Sequence, residues 1–318
     1  MVKTGPLVSV IVPAYRVTKY VGETLDSVLA QTLQDFEIVV VNDGCPDTAA
    51  LESVLEPYHS RLIYVKQENQ GLAAARNTGI LSGSPTKYVA FLDGDDKWTP
   101  DYLEMQVSAM ERDPGVDVMY CDAIMFRDGG QIEGTFMEMC PSSGEVTFLS
   151  LIEPTCTVMV SVIARRETVV KAGMFDPNLR SSEDFDLWLR IVKGGGRISY
   201  QRRPLVHYRR RPESLSADRQ KMYGSCLAVM QKALGRTDLS DGERSALTRR
   251  VVHIGAERSW DRGVQALSLG DTKAALDCLS DANKVNGSVG GSLLLVALRL
   301  APWAAAPLYR MKRRPTGG

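Results

Sequence analysis

The feature that most constrains the fold is a repeated alternation of short apolar runs with helix-like segments in the first hundred residues. The runs are rich in β-branched residues and too short for helices, and they lie at Val8–Val12, Phe36–Val41, Leu62–Val65 and Tyr88–Leu92. Segments of helical periodicity separate them, at Lys19–Gln31, Asp47–Leu55 and Leu72–Leu81. Continuously apolar strands between helices are typical of a mostly parallel sheet with helices on both faces. We therefore expect a Rossmann-like α/β domain.

The pattern becomes mixed beyond Val116 and then purely helical. Strand-like runs follow at Val116–Phe126, Cys156–Ala164 and Leu205–Tyr208, with short helices between them, so we expect antiparallel additions to the first sheet. From about Arg219 the sequence predicts only helices. The chain thus divides into an α/β domain, residues 1–217, and a helical C-terminal region, residues 218–318. In that region a segment around Gly270-Asp271 resembles one tetratricopeptide hairpin, with Ala266, Leu269, Ala274, Ala275, Leu279 and Ala282 on its inner face.

Charge and cysteine usage exclude several classes of protein. The formal net charge of the 318 residues is zero, which argues against a nucleic-acid partner. The six cysteines are scattered and form no CxxC pair, as in a reduced protein with small buried thiols. The residues from Met1 to Pro6 contain no apolar signal segment, so the sequence predicts a cytoplasmic protein.

The strongest local signal for chemistry is the acidic turn Asp93-Gly94-Asp95-Asp96, which directly follows an apolar strand. Open α/β sheets bind ligands at the carboxyl ends of their strands. Three neighbouring carboxylates repel one another unless a cation neutralises them, and oxygen ligands suit Mg²⁺ or Mn²⁺. The motif therefore predicts a divalent metal site that also holds substrate phosphates. The alternative is an acidic turn in which Asp96 caps the next helix.

Four weaker signals share this pattern of polar residues beside predicted elements. Asp43 ends an apolar strand and could accept hydrogen bonds from a nucleotide base or ribose, although Asn-Asp-Gly also favours a simple turn. Arg76 lies on the helix leading into the acidic strand, where it could pair with Asp93 or contact a nucleotide. An arginine-rich segment after the last strand, with Arg209 and Arg211, could clamp a diphosphate or be a solvated loop.

The fourth signal is the pair Glu183-Asp184 at the start of a predicted helix. Acidic residues are favourable there because a helix N-terminus is partially positive. One of the two could instead be the general base for an incoming hydroxyl. Trp188, one turn later, would then line the acceptor site or, equally well, be buried in the core.

Taken in order, five stretches resemble glycosyltransferase family 2, which has the GT-A fold. They are VSVIVPAYR, VVVNDG, NQGLAAARNTG, FLDGDD and SEDFDLWLR, and the resemblance extends from about Pro6 to Ala217. It implies a catalytic domain that transfers a sugar from a UDP- or GDP-linked donor, with inversion, to a glycan, lipid-linked or protein acceptor. It also implies Mn²⁺ or Mg²⁺ as cofactor and a place in polysaccharide or glycoconjugate biosynthesis.

The resemblance also implies roles for matching residues. The loop of Pro13, Ala14 and Tyr15 would hold the nucleotide, Asp43 would contact the base and Arg76 would lie near the nucleotide. Asp93 and Asp95 match the DXD motif, with Asp95 the direct metal ligand, while Asp184 matches the catalytic base beside Glu183. Two positions depart from the family pattern. Cys45 replaces the usual serine, and Arg211 stands where many relatives carry a histidine, so the arginines are expected to hold the diphosphate.

Two other functions fit an acidic site on an α/β sheet. A nucleotidyltransferase acting on sugar phosphates would carry a Gly-rich, basic loop after the first strand, and PAYRVTKY is not such a loop. A non-catalytic nucleotide-sugar-binding protein would bind without transfer. A nicotinamide oxidoreductase is disfavoured because no GxGxxG follows a strand.

The C-terminal end of the sequence combines apolar and basic residues. Leu293–Tyr309 is apolar but interrupted by Arg299, Pro302 and Pro307, and falls short of the roughly 20 residues of a spanning helix. Four basic residues follow it, namely Arg310, Lys312, Arg313 and Arg314. Two interpretations stay open: a peripheral anchor on the inner membrane face, or a helix docked on the protein with a solvated tail.

Overall fold

The computed structural model describes residues 5–159 and 161–300. The chain divides into two compact units, Met1–Ala217 and Asp218–Gly318. The first contains all the strands of the described residues, and the second contains only helices there. Each unit is described by itself below.

The first unit begins with a parallel sheet. Its strands are β1 (Val8–Ala14), β2 (Phe36–Asp43), β3 (Ile63–Gln67) and β4 (Tyr88–Phe91). Strand β1 pairs in parallel with β2 on one side and β4 on the other, and β3 pairs in parallel with β2. Strands β1 and β4 are buried along their whole length. The predicted parallel α/β arrangement is confirmed.

The remaining strands extend this sheet in mixed orientation. They are β5 (Lys97–Trp98), β6 (Val118–Phe126), β7 (Ile132–Thr135), β8 (Val162–Arg165) and β9 (Ile198–Arg209). The sheet order is β3-β2-β1-β4-β8-β6-β9-β5, and β7 pairs with β6. Strand β8 is antiparallel to both neighbours, which confirms the expected antiparallel addition, but β6 and β9 are parallel. Strand β8 also begins only at Val162, six residues later than predicted.

Helices connect and cover these strands. They are α1 (Val21–Leu29), α2 (Thr48–Leu55), α3 (Leu72–Ser82), α4 (Tyr102–Arg112), α5 (Phe136–Met139), α6 (Phe148–Ile152), α7 (Arg166–Lys171) and α8 (Glu183–Lys193). Helix α1 buries Val21, Leu25 and Val28 in the main core, as its 3.6-residue spacing predicts. Short 3₁₀ turns occupy Glu56–Arg61 and Leu215–Ala217.

Helix α3 lies unusually close to the sheet. A Cβ atom added to Gly79 would lie 2.3 Å from Cγ2 of Ile11 on β1, so only glycine fits between this helix and the strand. Gly71, the residue before the helix, has a φ of +94°, which glycine adopts without strain. The two glycines therefore set where α3 begins and how near it lies to β1.

The second unit is built from α9 (Arg219–Leu234), α10 (Asp241–Leu269), α11 (Thr272–Asn286) and α12 (Val289–Leu300). Gly270 ends α10 in the left-handed conformation, and the Asp271 side chain accepts a hydrogen bond from the Ala274 amide at 3.0 Å. The predicted helical hairpin is present. Its small core consists of Val264, Leu267, Ala275, Leu279, Leu295 and Leu298. Leu269, expected on the inner face, is instead 76% exposed at the end of its helix.

Helix α12 has an apolar outer face. Its inward residues Leu295 and Leu298 join the small core. The outer stripe of α12 is formed by four exposed apolar residues, namely Val289, Leu293, Val296 and Leu300. Among the described residues, no helix has both the length and the apolar character that crossing a bilayer requires. Pro302, Pro307 and the basic cluster at 310–314 lie outside the described residues.

Candidate active site at the carboxyl ends of the strands

The residues singled out by sequence converge where β1, β2 and β4 end. Asp43 is the last residue of β2, and Asp93 follows β4 by two residues. Pro13 and Ala14 end β1 and are buried, whereas Tyr15 is 39% exposed. This edge is where open α/β sheets bind ligands.

Both oxygens of the Asp43 carboxylate accept hydrogen bonds from the segment between the end of β3 and the start of α3. One oxygen accepts hydrogen bonds from the Gln67 side chain at 2.7 Å and the Gln70 amide at 2.9 Å, and the other accepts from the Gly71 amide at 2.9 Å. Its side chain is 2% exposed. The residue expected to contact a base thus shapes the loop at the mouth of the site in this conformation.

A cleft with a volume of about 390 Å³ opens beside the loops that follow β1 and β2. It is lined by Arg16, Thr18, Lys19, Pro46 and Asp47. Nearby, burial and a hydrogen bond to Asp47 raise the pKa of the Cys45 thiol, which therefore stays protonated at neutral pH. Two of the lining side chains are basic and one is acidic, and Lys19 already pairs with Asp128 at 2.6 Å.

Arg76 is the buried centre of a charge network. Its guanidinium donates to Glu183 through Nη1 and to Asp93 through Nη2, the latter at 2.7 Å. The side chain is 1% exposed and packs over the Phe175 ring at 5.4 Å. Of the two possibilities that the sequence left open, the structure shows the pairing with Asp93. Glu183, 107 residues away, is a second partner that no local motif indicated.

The acidic turn after β4 presents its three carboxylates differently. The Asp96 side chain points inward, is 2% exposed and accepts a hydrogen bond from the Arg209 amide at 2.8 Å. Asp95 pairs with Arg211 at 2.6 Å, between Oδ2 and Nη2. Burial, and then the negative charge of Asp93, raise the pKa of Asp95. The turn thus brings three carboxylates close together, and arginine side chains pair with two of them.

Arg209 supports this turn from beneath. Its side chain is 5% exposed, donates to the Asp95 carbonyl at 2.9 Å and pairs with Glu23 and Asp128 at 2.9 and 2.7 Å. The guanidinium also lies 4.5 Å from the Tyr20 ring centroid. With its donors engaged in this way, Arg209 does not present a free guanidinium to a diphosphate. Sequence reasoning missed Glu23 and Asp128, since neither belongs to a motif.

Glu183 and Asp184 open α8 and have different surroundings. Glu183 is 3% exposed and neutralised by Arg76. Asp184 is half-buried and forms no ion pair with the residues that the structure describes, and burial, followed by the negative charge of Glu183, raises its pKa to about 7. Arg76 opposes that rise. A carboxyl group with a pKa near neutrality is suited to proton transfer.

Trp188 does not face the site. It is 1% exposed and belongs to the buried side of α8. Of the two interpretations of this residue, the structure supports the core position, and Trp188 has no surface to offer to an acceptor.

Asp93 and Asp95 are the residues that could hold a divalent cation. Both present carboxylate oxygens, the ligands that Mg²⁺ and Mn²⁺ prefer, at a turn where neighbouring acids repel. Within residues 5–159 and 161–300, no three His, Cys, Asp or Glu side chains form a ready metal-binding group. The two carboxylates fit a cation that completes its coordination with water and substrate phosphates.

Comparison with protein families identifies the chain. The family description "Glycosyl transferase family 2" matches residues 9–157, and "Glycosyl transferase family group 2" matches residues 88–255, more than half of the chain. The chain belongs to glycosyltransferase family 2. Apart from Val8, the first residue of VSVIVPAYR, the five stretches on which the resemblance rested lie within these two matches.

Several named relatives share this family 2 domain. TuaG of Bacillus subtilis, a glycosyltransferase whose name associates it with teichuronic acid biosynthesis, is 30% identical over 226 residues, 70% of this chain and 86% of TuaG. An uncharacterized glycosyltransferase of Rickettsia prowazekii is 31% identical over 59% of each chain. Another, from Rickettsia felis, is 34% identical over 58% of this chain but only 30% of its own length. The matched region is thus well under two thirds of these Rickettsia proteins.

Solved structures confirm the GT-A fold of this family 2 chain. Residues 1–349 of S. aureus TarS in complex with UDP-GlcNAc match with a TM-score of 0.63 and 20% identity, over 96% of this chain and 91% of that one. The mannosyltransferase PcManGT of Pyrobaculum calidifontis, in complex with GDP-Man and Mn²⁺, matches with a TM-score of 0.64 and 19% identity over 97% and 84%. The expected combination of a GT-A sheet and a helical C-terminal region is confirmed.

Proposed function

We propose that this protein is an inverting glycosyltransferase that moves a sugar from a nucleotide diphosphate to an acceptor hydroxyl. The observation that carries the proposal is the difference between the two acids at the start of α8. Arg76 neutralises Glu183 and leaves Asp184 half-buried with a pKa of about 7. Asp184 is therefore the one of the pair that can accept a proton.

The chemistry is a single displacement at the anomeric carbon. Asp184 takes the proton from the acceptor hydroxyl while its oxygen forms the new bond to that carbon. The bond from the anomeric carbon to the diphosphate oxygen breaks, and its electron pair leaves with the nucleoside diphosphate. Attack from the face opposite the leaving group inverts the configuration.

The acidic turn and the arginines beside it would stabilise the negative charge of the departing nucleoside diphosphate. Asp93 and Asp95 would hold Mn²⁺ or Mg²⁺, which when bound offsets negative charge on the departing diphosphate. Arg211, beside Asp95, adds a cation on the same side of the turn. Arg209 keeps the turn in place through the Asp95 carbonyl.

The comparisons support a choice of donor and of pathway to test. Structural relatives hold UDP-GlcNAc or GDP-Man, so UDP- and GDP-linked sugars are the donors to test first. The similarity to TuaG favours a role in the synthesis of a cell-surface polysaccharide. A glycan or lipid-linked glycan is accordingly the acceptor class that we propose.

Replacing Asp184 tests the proposal. In Asp184→Asn the side chain keeps its size but cannot take a proton, so turnover should fall by about 10²–10⁴-fold. Nucleotide binding should persist and appear as a metal-dependent rise in melting temperature with UDP or GDP. The wild-type rate should increase with pH through about 7, because only the deprotonated carboxylate is a base.

The matched control is Asp281→Asn, the same change at a carboxylate that is 66% exposed in the second unit. It should leave rate and binding unchanged. If Asp184→Asn loses nucleotide binding together with turnover, Asp184 is misplaced. If wild type and Asp184→Asn both bind the nucleotide but neither transfers sugar, the chain is a nucleotide-sugar-binding protein. Release of pyrophosphate with a nucleotide sugar as product would instead identify a nucleotidyltransferase.

We also propose that the C-terminal helix contacts an anionic membrane surface. The outer stripe of α12, from Val289 to Leu300, is apolar, and the sequence after it carries four cations at 310–314. Apolar side chains that enter a membrane interface beside basic residues are the usual features of a peripheral anchor. Such contact would bring the enzyme to a lipid-linked acceptor.

Vesicle co-sedimentation tests this contact. The double variant Leu293→Gln/Leu300→Gln should bind vesicles that contain phosphatidylserine, an anionic lipid, at least about tenfold more weakly than wild type. Each leucine buried in the interface contributes about 1.5–3 kcal/mol to binding. Leu269→Gln is the control, since Leu269 is equally exposed but lies outside the stripe. Equal binding by all three proteins, or none by wild type, would remove the proposal.

A further inference from the structure

The carboxylate assigned to the metal already has a cation beside it. Nη2 of Arg211 lies 2.6 Å from Oδ2 of Asp95, and the two side chains are only 15% and 13% exposed. A fixed positive charge therefore faces the carboxylate that a metal would require.

We propose that Arg211 and the divalent cation compete for Asp95, and that the diphosphate of the donor resolves the competition by becoming the new partner of Arg211. The inference rests on the proposed function, because it assumes that a nucleotide diphosphate binds at this turn. It adds a specific role for Arg211, that of making metal binding depend on the donor.

The remaining contacts of Arg211 are weak enough to permit the exchange. Nη1 reaches the carbonyl of Arg16 only at 3.4 Å, and the guanidinium lies 5.1 Å from the Tyr20 ring centroid. Nε is buried and has no hydrogen-bond acceptor among the described residues. Arg211 also follows β9 rather than belonging to it. Its side chain can therefore turn without breaking a strand or helix.

Arg209 illustrates the opposite arrangement two residues earlier. It donates to Glu23, Asp128 and the Asp95 carbonyl at 2.7–2.9 Å. Moving its guanidinium would break all three hydrogen bonds, so this side chain cannot follow a ligand. The exchange is consequently specific to Arg211.

Charge balance favours the exchange only when the donor is present. Without ligands, Arg211 offsets the repulsion between Asp95 and its acidic neighbours. A divalent cation alone would displace Arg211 and leave its guanidinium partly buried without a partner. A diphosphate supplies two anionic groups, one for the metal and one for the arginine, which binds phosphate oxygens in bidentate fashion.

The consequence is a reciprocal coupling between metal and nucleotide. Metal should bind weakly alone and more tightly with UDP or GDP, by a factor within the 5–150-fold that is usual for such coupling. By linkage, the nucleotide gains the same factor from the metal. Removing the competing charge should tighten binding of metal alone and reduce the coupling.

The experiment is a titration of the full chain with Mn²⁺, followed by the electron paramagnetic resonance signal of free Mn²⁺. Dissociation constants are measured without nucleotide and with UDP or GDP, after separate correction for Mn²⁺ bound to the nucleotide in solution. The proteins are wild type, Arg211→Gln, Arg211→Lys and Arg210→Gln. Arg210→Gln is the matched control because it removes the same charge one residue away. Arg210 lies near Cys140, and its positive charge opposes the rise in the pKa of that thiol that burial causes.

In Arg211→Gln we expect Mn²⁺ alone to bind about tenfold more tightly and the coupling to fall below about threefold. Arg211→Lys keeps a competing charge, so its affinity for Mn²⁺ alone should stay near that of wild type, and Arg210→Gln should resemble wild type throughout. If wild type binds Mn²⁺ and nucleotide but Arg211→Gln changes neither constant nor coupling, the competition is wrong and the proposed function stands. If wild type binds neither ligand, both proposals fail.

Discussion

Two arginine–carboxylate regions flank the acidic turn after β4, and they are built differently. On the inner side, Arg76 projects from the middle of α3, is 1% exposed and joins Asp93 to Glu183. On the outer side, Arg211 belongs to a loop and holds the single carboxylate of Asp95. Both pairs neutralise the same turn, but only the inner one links separate elements of the fold.

The difference shows how one motif serves structure and ligand binding together. The inner pair ties the helix before β4 to the start of α8, so it fixes the position of Asp184 relative to the acidic turn. The outer pair ties the turn to a loop and can be replaced by ligands of the same charge. Stability and exchange are thus assigned to different arginines, although their partners Asp93 and Asp95 lie only two residues apart in the chain.

The largest effect should follow from breaking the inner region. In Arg76→Met, Glu183 remains buried without its cation, and removal of one partner from a buried pair costs about 3–5 kcal/mol in the free energy of unfolding. For a domain of this size the melting temperature should fall by about 10 °C. Thermal unfolding followed by circular dichroism measures the change.

The double variant Arg76→Met/Glu183→Gln provides the control for this interpretation. Because it also removes the stranded charge, it should recover much of the lost stability, and the two changes should not be additive. A melting temperature for Arg76→Met within about a degree of wild type would show that the inner pair is not the structural link we describe.

A much smaller effect should follow from breaking the outer region. In Arg211→Gln, the Asp95 carboxyl, whose pKa is already raised by burial, can take up a proton instead of staying charged, so we expect a loss of only about 1–2 kcal/mol without ligands. Chemical denaturation with urea is the suitable measurement, since the shift in melting temperature would be only a few degrees.

Mn²⁺ sharpens the contrast between the two variants. Saturating Mn²⁺ should restore the stability of Arg211→Gln, because a cation again neutralises Asp95, whereas it should not restore Arg76→Met. If the two variants lose the same free energy of unfolding, or if Mn²⁺ restores the stability of both, the inner pair is not more structural than the outer pair and the distinction is wrong.

The sequence predicted the parts of the site that depend on local pattern. Strands β1, β2 and β4 are apolar runs followed by polar turns, so the positions of Asp43 and Asp93 at one edge followed directly. The two-residue strand β5 and the short β7 escaped prediction because neither is long enough to show an alternating pattern. The turn at Gly270-Asp271 was recognised because a glycine followed by an aspartate ends one helix and caps the next.

The contacts that distinguish the two arginines could not be predicted in the same way. Arg76 and Glu183 are 107 residues apart, and Arg209 meets Asp128 across 81 residues. Local sequence contains no information on such distances, which depend on how β8 and β9 join the sheet. The burial of Trp188 has the same origin: its position in the sequence left both the acceptor site and the core open, and only the packing of α8 shows that it lies in the core.

The near-contact between Gly79 and Ile11 bears on how such motifs should be interpreted. The missing side chain at Gly79 lets α3 approach β1 closely, and Arg76 lies one turn earlier on that helix. Because the length of an arginine side chain is limited, the distance between α3 and β1 determines which carboxylates the guanidinium can contact. Gly79, the last residue of NQGLAAARNTG, therefore sets the distance between α3 and β1. It takes no part in the chemistry itself, but that distance determines how far the guanidinium of Arg76 lies from the sheet.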